Sequence, residues 1–437
     1  MHATGTTWYS RRPGALVIAI CFATVILDGY DLVVYGAIVP ALLDYEPWGL
    51  DAAAAGLIGS LALVGMAVGA LCSGWLTDRL GRRRLVLAAI TWFSAATALC
   101  AVAPNAEVFG LLRFVAGIGL GGVLPSAIAL TVEFAPPNRR QLYNSIIHAG
   151  YSVGGVICAA VAIWLLPTGG FRVLLLVGAA PWLILFPIAL RWLPESPSWL
   201  VARGRLDEAR ELAIHHGLDP ETLTAGATTS KVRTSEIFGR YRRWTILFVL
   251  ISFCGLLLSY GVGTWLPQIM RQAGYPLGSA ISFLLVLNLG NVIGTLLIAS
   301  VADRIGSRRA IPIALTVGAV SLVLLSIPLP QVLLYVLVTL LGFGAMGSQI
   351  LVNGFVAASY PSRIRASGLG FVMGVGRLGG IAGPYAVGLL ITAELGFQWN
   401  FWFFAAFAVI AVVLTLSLGR HPDERTPTTG VPGRVAG

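Results

Sequence analysis

Two carboxylates lie inside the first long apolar segment of the chain. Asp28 and Asp31 are three residues apart, which places them on one face of a helix, and Tyr35 follows Asp31 by four. Inserting a carboxylate near the middle of the membrane costs about 2.5 to 3.5 kcal/mol on insertion scales, so such a residue is expected to have a functional role. Burial and the like-charged neighbour both favour protonation, so the pair is predicted to carry a proton. The alternative is a packing hydrogen bond or a salt bridge to Arg113 or Arg377.

Two arginines, Arg113 and Arg377, also lie within apolar segments. A guanidinium fork can bind a carboxylate through two hydrogen bonds, so both are predicted to contact an anionic substrate. Arg377 ranks first because it lies near the middle of its segment, the depth of many buried sites in membrane proteins. Arg113 lies nearer the outer end of its segment. For each arginine the alternative is a charge partner for Asp28, Asp31 or a helix end.

Uncharged side chains in the middle of apolar segments could complete such a site. His148 is a candidate second proton site because imidazole titrates near neutral pH; a hydrogen-bonded packing residue is the alternative. Aromatic rings and amides provide stacking surfaces and a few polar contacts for a small organic anion, although most aromatics merely pack. Besides the arginines, the predicted substrate contacts are Tyr30, Tyr35, Tyr151, Tyr260, Trp265, Asn288, Asn291, Gln349, Asn353 and Tyr385.

Composition predicts the elements that must position these residues. Of the 437 residues, 57% are hydrophobic and only 11% are charged, against about 25% charged in soluble domains. Apolar runs of about twenty residues, enough to cross a ~30 Å hydrocarbon core, recur throughout. Helix is the suitable state because barrel strands would alternate polar and apolar residues. We predict an all-α polytopic membrane protein with twelve transmembrane helices, at 14–43, 52–76, 85–103, 107–134, 143–166, 171–193, 244–270, 278–302, 309–329, 331–359, 366–391 and 398–418.

The formal charge of +10 could indicate nucleic-acid binding, but its distribution does not. When the spans alternate across a membrane, nearly all of the 29 Lys and Arg residues fall in loops on one side. The positive-inside rule makes that side, with both termini and the long central loop, cytoplasmic. We therefore predict a multi-pass protein of the plasma (inner) membrane with no nucleic-acid partner.

The chain repeats itself at a constant spacing of 225 residues. Asp78-Arg79 recurs as Asp303-Arg304, and Tyr35-Gly36 recurs as Tyr260-Gly261. Six helices per half make both halves enter the membrane from the same side, which is a parallel repeat. The predicted organisation is a six-helix half at 1–193, a cytoplasmic linker at 194–243, a second half at 244–419 and a cytoplasmic tail at 420–437.

The most specific pattern is Asp-Arg-x-Gly-x-Arg-Arg, which follows the second span of each half. On this pattern, on the glycine-rich run from Arg113 to Gly122 and on Pro194–Leu200, the chain resembles the major facilitator superfamily along its whole length. The resemblance implies the major facilitator fold and a cytoplasmic gate of charged residues. An acid at a helix end can pair in one conformation and lose its partner in the other, which biases a two-state equilibrium. The predicted gating residues are Asp78, Arg79, Arg82, Glu133, Arg140, Asp303 and Arg304.

The run Asp28-Gly29-Tyr30-Asp31 resembles, more narrowly, the first helix of the aromatic acid:proton symporter branch of the superfamily. That resemblance implies import of benzoate-like or hydroxybenzoate-like acids with protons by alternating access. A non-aromatic anion such as citrate or shikimate, or export of a drug, is the alternative within transport, and a transporter-like receptor is an alternative outside it. We expect a monomer in the lipid bilayer with a small aromatic carboxylate and protons as partners, no cofactor and no enzymatic activity.

Overall fold

The computed structural model describes residues 12–218 and 235–418, in which helices are joined by short turns and loops and no strand occurs. The helices are α1 (Arg12–Leu43), α2 (Ala52–Leu80), α3 (Arg82–Ala101), α4 (Ala106–Phe134), α5 (Arg140–Ala179), α6 (Trp182–Trp192), α7 (Pro197–Ala202), α8 (Leu206–His216), α9 (Ser235–Phe238), α10 (Arg242–Gln272), α11 (Leu277–Ile305), α12 (Ser307–Leu325), α13 (Gln331–Ser359), α14 (Ser362–Thr392) and α15 (Phe397–Leu416). The predicted tail, 420–437, and part of the predicted linker lie outside the described residues.

Twelve membrane crossings follow from the lengths of these helices. Within the described ranges, eleven helical stretches are long and apolar enough to span a bilayer. One of them, Leu142–Trp192, contains 51 residues, whereas a single crossing needs about 20. This stretch is broken at Gly170, where φ is 69°, so it provides two crossings. The prediction of twelve transmembrane helices is confirmed.

The internal repeat appears as matched helix packing. In the first half α1 packs against α5 and α2 against α4; in the second, α10 packs against α14 and α11 against α13. The outer helices match as well, because α3 packs on α6 and α12 packs on α15. The halves are joined mainly by α1 with α10, α2 with α14 and α5 with α11.

The predicted spans beside the repeated basic motifs are too short, because the helices continue into the motifs from both sides. Residues 77–80 and 82–84 are helical, and a single glycine separates α2 from α3. Gly81 has φ 89° and its repeat partner Gly306 has φ 82°, a left-handed conformation that glycine adopts without steric cost. The polar ends of these helices extend beyond the apolar segments, which is why hydropathy alone missed them.

The two halves touch at one end of the bundle and separate at the other. We call the end that carries Gly81 and Gly306 the basic end, and the other the outer end. At the outer end a Cβ on Gly36 would overlap the backbone of Gly263 and Thr264, and a Cβ on Gly56 would lie 3.2 Å from the Cα of Gly388. The halves are therefore tightly packed at the outer end.

The same helix faces are apart at the basic end. Gly74 continues the α2 face that packs on α14, and Gly370 and Gly374 continue the facing side of α14. A Cβ at any of the three would meet no described atom within 4 Å. The interface between the halves is thus open toward the basic end.

Glycine at position 36 is predicted to be required for closing the outer end. In Gly36→Ala, the added Cβ would meet the Gly263 backbone only when the outer end is closed, and such overpacking costs about 1 to 3 kcal/mol. Spin labels on the outer ends of α1 and α10 should therefore move apart. Gly278→Ala, at the outer start of α11 with no atom within 4 Å of the new Cβ, is the control; equal label distances in both variants would refute the prediction.

Candidate substrate and proton site

Asp31 is held in a buried ion pair within the first half. Its Oδ2 accepts a hydrogen bond from Nη1 of Arg113 at 3.0 Å, and Nη2 of Arg113 donates to the main-chain carbonyl of Asp31 at 3.1 Å. The hydroxyl of Thr97 donates to Oδ1. Asp31 is 3% exposed and Arg113 is 1% exposed. Two helices, α3 and α4, therefore supply partners for both oxygens of this carboxylate on α1.

Asp28, one turn earlier on α1, has no such partner. It is 1% exposed, its Oδ1 is buried without a hydrogen bond, and it makes no ion pair with a described residue. The charged groups whose fields act on it are Asp31 and Arg377. A buried polar atom without a partner is costly and rare. Of the two carboxylates, Asp28 is therefore the one that the described residues leave without a hydrogen-bond partner.

Arg377 approaches this region from the second half. The arginine is half-buried on α14, and its Nη1 donates to the main-chain carbonyl of Met66 on α2 at 3.2 Å. Within the described chain this is its one hydrogen bond, so other N–H groups of the guanidinium are free to bind an anion. The electrostatic interaction of Arg377 with Asp28 crosses the interface between the halves.

Two tyrosines complete the cluster around Asp28. Tyr151 on α5 and Tyr260 on α10 are half-buried. The two side chains interact with each other, and each also interacts electrostatically with Asp28. The backbones of α1 and α5 are so close at this level that a Cβ on Gly29 would overlap the backbone of Tyr151. This close approach places Tyr151 beside the Asp28 turn of α1. The Asp28 cluster, which we define as Asp28, Tyr151, Tyr260 and Arg377, thus contains an acid, a base and two phenol rings from both halves.

The predicted amides of the second half lie on α11 and α13. Gln349 donates from Nε2 to Oδ1 of Asn353 at 3.3 Å on α13, and Oε1 of Gln349 is buried without a partner. Asn288 donates to the main-chain carbonyl of Leu284 at 2.9 Å on α11, and its amide lies against Gly155 of α5. The half-buried Asn291 faces Gly342 of α13.

Three predicted contacts are instead occupied in packing at or toward the outer end. The hydroxyl of Tyr35 donates to the carbonyl of Ala55, and Trp265 donates from Nε1 to the carbonyl of Pro384 at 2.7 Å. Tyr30 donates to the carbonyl of Leu174 at 3.1 Å. All three rings are buried, so in this conformation they stabilise helix contacts.

Two further candidates lie away from the cluster. Tyr385 is 41% exposed and shares one face of α14 with the exposed Phe371 and Leu378, so the structure does not bring it to Asp28. His148 lies one turn before Tyr151 on α5, is half-buried, and its Nδ1 lies 2.9 Å from the carbonyl of Asn144. His148 is eight residues from the start of α5 at the basic end, so it lies nearer to that end than the Asp28 cluster does.

The predicted gating residues meet the linker at the basic end. Glu133 accepts hydrogen bonds from Arg82 and, at 2.6 Å, from the hydroxyl of Ser196. The exposed Asp78 makes no ion pair with a described side chain, but its main-chain carbonyl accepts from Arg203 at 2.8 Å.

The remaining gating candidates are less constrained. The guanidinium of Arg79 lies 4.1 Å from the Trp75 ring centroid. Arg140 and Arg304 are exposed and have no ion-pair partner within the described ranges. The side chain of Asp303, at the end of α11, is outside the described part of the structure.

Sequence reasoning missed several residues that the structure connects to these sites. Thr97 carried no signal, because a threonine in an apolar span is common. Arg271 donates to Oδ2 of Asp44 at 2.6 Å and to the carbonyl of Pro40 at 3.3 Å, an ion pair between the halves at the outer end. Both residues were visible as isolated charges beside apolar spans, but one sequence does not say that the two loops meet.

Comparison with known proteins decides the family. A profile of the Major Facilitator Superfamily matches residues 21–384 and, in a second match, residues 278–435. The chain belongs to this superfamily. The gentisate transporter of Corynebacterium glutamicum is 39% identical to this major facilitator over 406 residues, which cover 92% of this chain and 86% of the relative.

Other relatives of this major facilitator agree. The benzoate transport protein of Acinetobacter baylyi is 33% identical over 91% of this chain and 88% of the relative. The gallate transporter of Pseudomonas putida is 33% identical over 97% of each chain. The predicted resemblance to aromatic acid transporters is confirmed, and the chain is a multi-pass membrane transporter.

A solved structure confirms the predicted major facilitator fold of two six-helix halves. The xylose transporter XylE from E. coli, in a partially occluded inward open conformation, superposes with a TM-score of 0.75 and covers 93% of this chain and 100% of the XylE chain. Identity is 18%, so the likeness concerns the fold.

The two carboxylates of α1 are predicted to respond differently to neutralisation. Asp31→Asn leaves the Arg113 guanidinium buried without its counter-charge, which costs about 3 to 5 kcal/mol, whereas Asp28→Asn breaks no hydrogen bond. The thermal unfolding midpoint in detergent should fall strongly in Asp31→Asn and little in Asp28→Asn. Asp31→Asn combined with Arg113→Gln should recover part of the loss. Equal midpoints in the two single variants would contradict this division.

Proposed function

We propose that this major facilitator is a proton-coupled symporter that imports small aromatic carboxylates of the benzoate and hydroxybenzoate type by alternating access. The observation that carries the proposal is the Asp28 cluster, in which a buried, unpartnered acid of the first half interacts with an arginine of the second half. Changes in the occupancy of either charge alter the attraction between the halves.

The substrate class is supported by the chemistry of the cluster and by the relatives. Arg377 has free N–H groups suited to a carboxylate, and Tyr151 and Tyr260 provide rings for stacking. Gln349 and Asn353 offer amide groups to ring hydroxyls. Relatives at 33 to 39% identity are named for gentisate, benzoate and gallate, all aromatic acids.

Coupling follows from competition for one cation. When a substrate carboxylate binds Arg377, a second negative charge enters a region of low dielectric beside Asp28, and the guanidinium field is partly neutralised. Both effects favour binding of a proton by Asp28. By linkage, protonated Asp28 favours binding of the substrate anion to the same extent. His148, one turn from Tyr151, is a candidate for relaying the proton toward the basic end.

The direction of import rests on the distribution of charge. Nearly all basic residues lie at the basic end, so we place this end, both termini and the linker at 194–243 in the cytoplasm. The interface between the halves is open there, which corresponds to an inward-open state that releases substrate and proton. The two halves, 1–193 and 244–419, then have to separate at the outer end before the next substrate can bind.

Uptake into reconstituted vesicles tests the proposal. Labelled gentisate and benzoate should accumulate when the outside is acidic relative to the inside, and citrate should not. Arg377→Gln should weaken apparent affinity by about 10- to 100-fold, the value of a hydrogen bond to a charged group, and Asp28→Asn should abolish the response to the pH gradient.

The matched control is Arg210→Gln, which removes an exposed arginine of α8 outside the cluster and should transport like the parent. The proposal fails if uptake of aromatic acids ignores the pH gradient, or if citrate is accumulated and aromatic acids are not.

A further inference from the structure

A groove runs between α12 and α15 on the surface of the second half, near the basic end. Its volume is about 780 Å³. Arg308 and Arg309 lie at its mouth, and Ile313, Thr316, Val412 and Leu416 line its length. Ile313 is 54% exposed and Leu416 is 68% exposed. Both helices are spans of the bundle, so the apolar length of the groove faces the lipid.

Among the described residues, the two arginines at the mouth have no acidic partner. Arg308 donates to the carbonyl of Leu418 at the end of α15. Arg309 is exposed and makes no hydrogen bond or ion pair with the part of the chain that the structure describes. Aspartate and glutamate are absent from the described lining of the groove. Within the described ranges, a cation without an acidic neighbour therefore lies where an apolar groove reaches the membrane surface.

The internal repeat offers a direct comparison. At the 225-residue spacing, Arg308 and Arg309 correspond to Arg83 and Arg84 of the first half. There, a cavity of about 490 Å³ is lined by both arginines and by glutamates of the linker region, namely Glu195, Glu208 and Glu211. Oε1 of Glu195 accepts a hydrogen bond from the main-chain N–H of Arg83 at 3.0 Å.

The linker region thus places glutamates beside the first arginine pair, whereas no described segment places an acid in the groove beside the second pair. We propose that the groove between α12 and α15 binds an anionic phospholipid, with its phosphate at Arg309 and Arg308 and an acyl chain along Ile313 and Leu416. Basic pockets beside membrane spans recognise anionic headgroups, and each arginine near the surface contributes about 1 kcal/mol. The apolar length selects a lipid rather than a soluble phosphate.

Native mass spectrometry of the full chain, incubated with phosphatidylglycerol or phosphatidylcholine, tests this site. The parent should retain phosphatidylglycerol in preference to phosphatidylcholine. Arg309→Gln should weaken retention about fivefold, the loss of one surface arginine. Thr316→Trp, which places an indole in the groove at an exposed position, should reduce retention further. Arg210→Gln removes an arginine elsewhere at the same end and should retain lipid like the parent.

Three results would overturn the site. One is equal retention of phosphatidylglycerol by the parent, Arg309→Gln and Thr316→Trp. Another is equal retention of phosphatidylcholine and phosphatidylglycerol by the parent. The third is a dimer mass that Thr316→Trp abolishes, because the groove would then hold a second copy of the chain. None of these results depends on which acid is transported.

Discussion

An unpartnered carboxylate inside the membrane, acted on by the charge of a guanidinium from the other half, is the constraint on which this structure depends. Asp28 is nearly inaccessible, and its Oδ1 has no hydrogen bond. The low dielectric of the interior makes both its charge and the field of Arg377 strong. Because the two residues belong to different halves, any change in their charges acts directly on the contact between the halves.

The neighbouring ion pair shows what a purely structural arrangement looks like. Asp31 has a hydrogen-bond partner on each carboxylate oxygen, and its partner Arg113 comes from the same half. Both partners lie in the first half, so the pair holds α1, α3 and α4 together without crossing the interface between the halves. Two acids three residues apart on one helix therefore have different surroundings, and of the two only Asp28 lacks a hydrogen-bond partner among the described residues.

Tight packing at the outer end explains how a small electrostatic change could move whole helices. Gly36 and Gly56 allow backbones of opposite halves to touch, and the Asp44–Arg271 pair bridges the same end. The facing glycines near the basic end have no neighbours across the interface. Such contacts are either made or lost as a unit, which favours two discrete conformations over a continuum.

Much of the fold could be predicted from the sequence, because lipid imposes long apolar helices and the 225-residue repeat sets their grouping. The buried charges were also visible, since ionisable residues stand out in apolar segments. The pairing of those charges could not be predicted, because Asp31 and Arg113 are 82 residues apart. No rule based on spacing says which of Asp28 and Asp31 forms the ion pair. The helix ends at Gly81 and Gly306 were misplaced because helices continue beyond the apolar core.

The role of Tyr35 and Trp265 depends on conformation, which a sequence does not contain. Both were predicted to contact substrate, and in this structure each donates a hydrogen bond that closes a helix contact. Thr97 escaped notice because its hydroxyl matters only through Asp31, which lies on another helix.

The most direct measurement is the proton exchanged when an aromatic acid binds to the purified transporter in a weakly buffered solution. If substrate and Asp28 share the field of Arg377, adding gentisate or benzoate to the parent makes the protein take up protons, and Asp28→Asn takes up none although it still binds the acid. Undiminished proton uptake by Asp28→Asn would contradict the account.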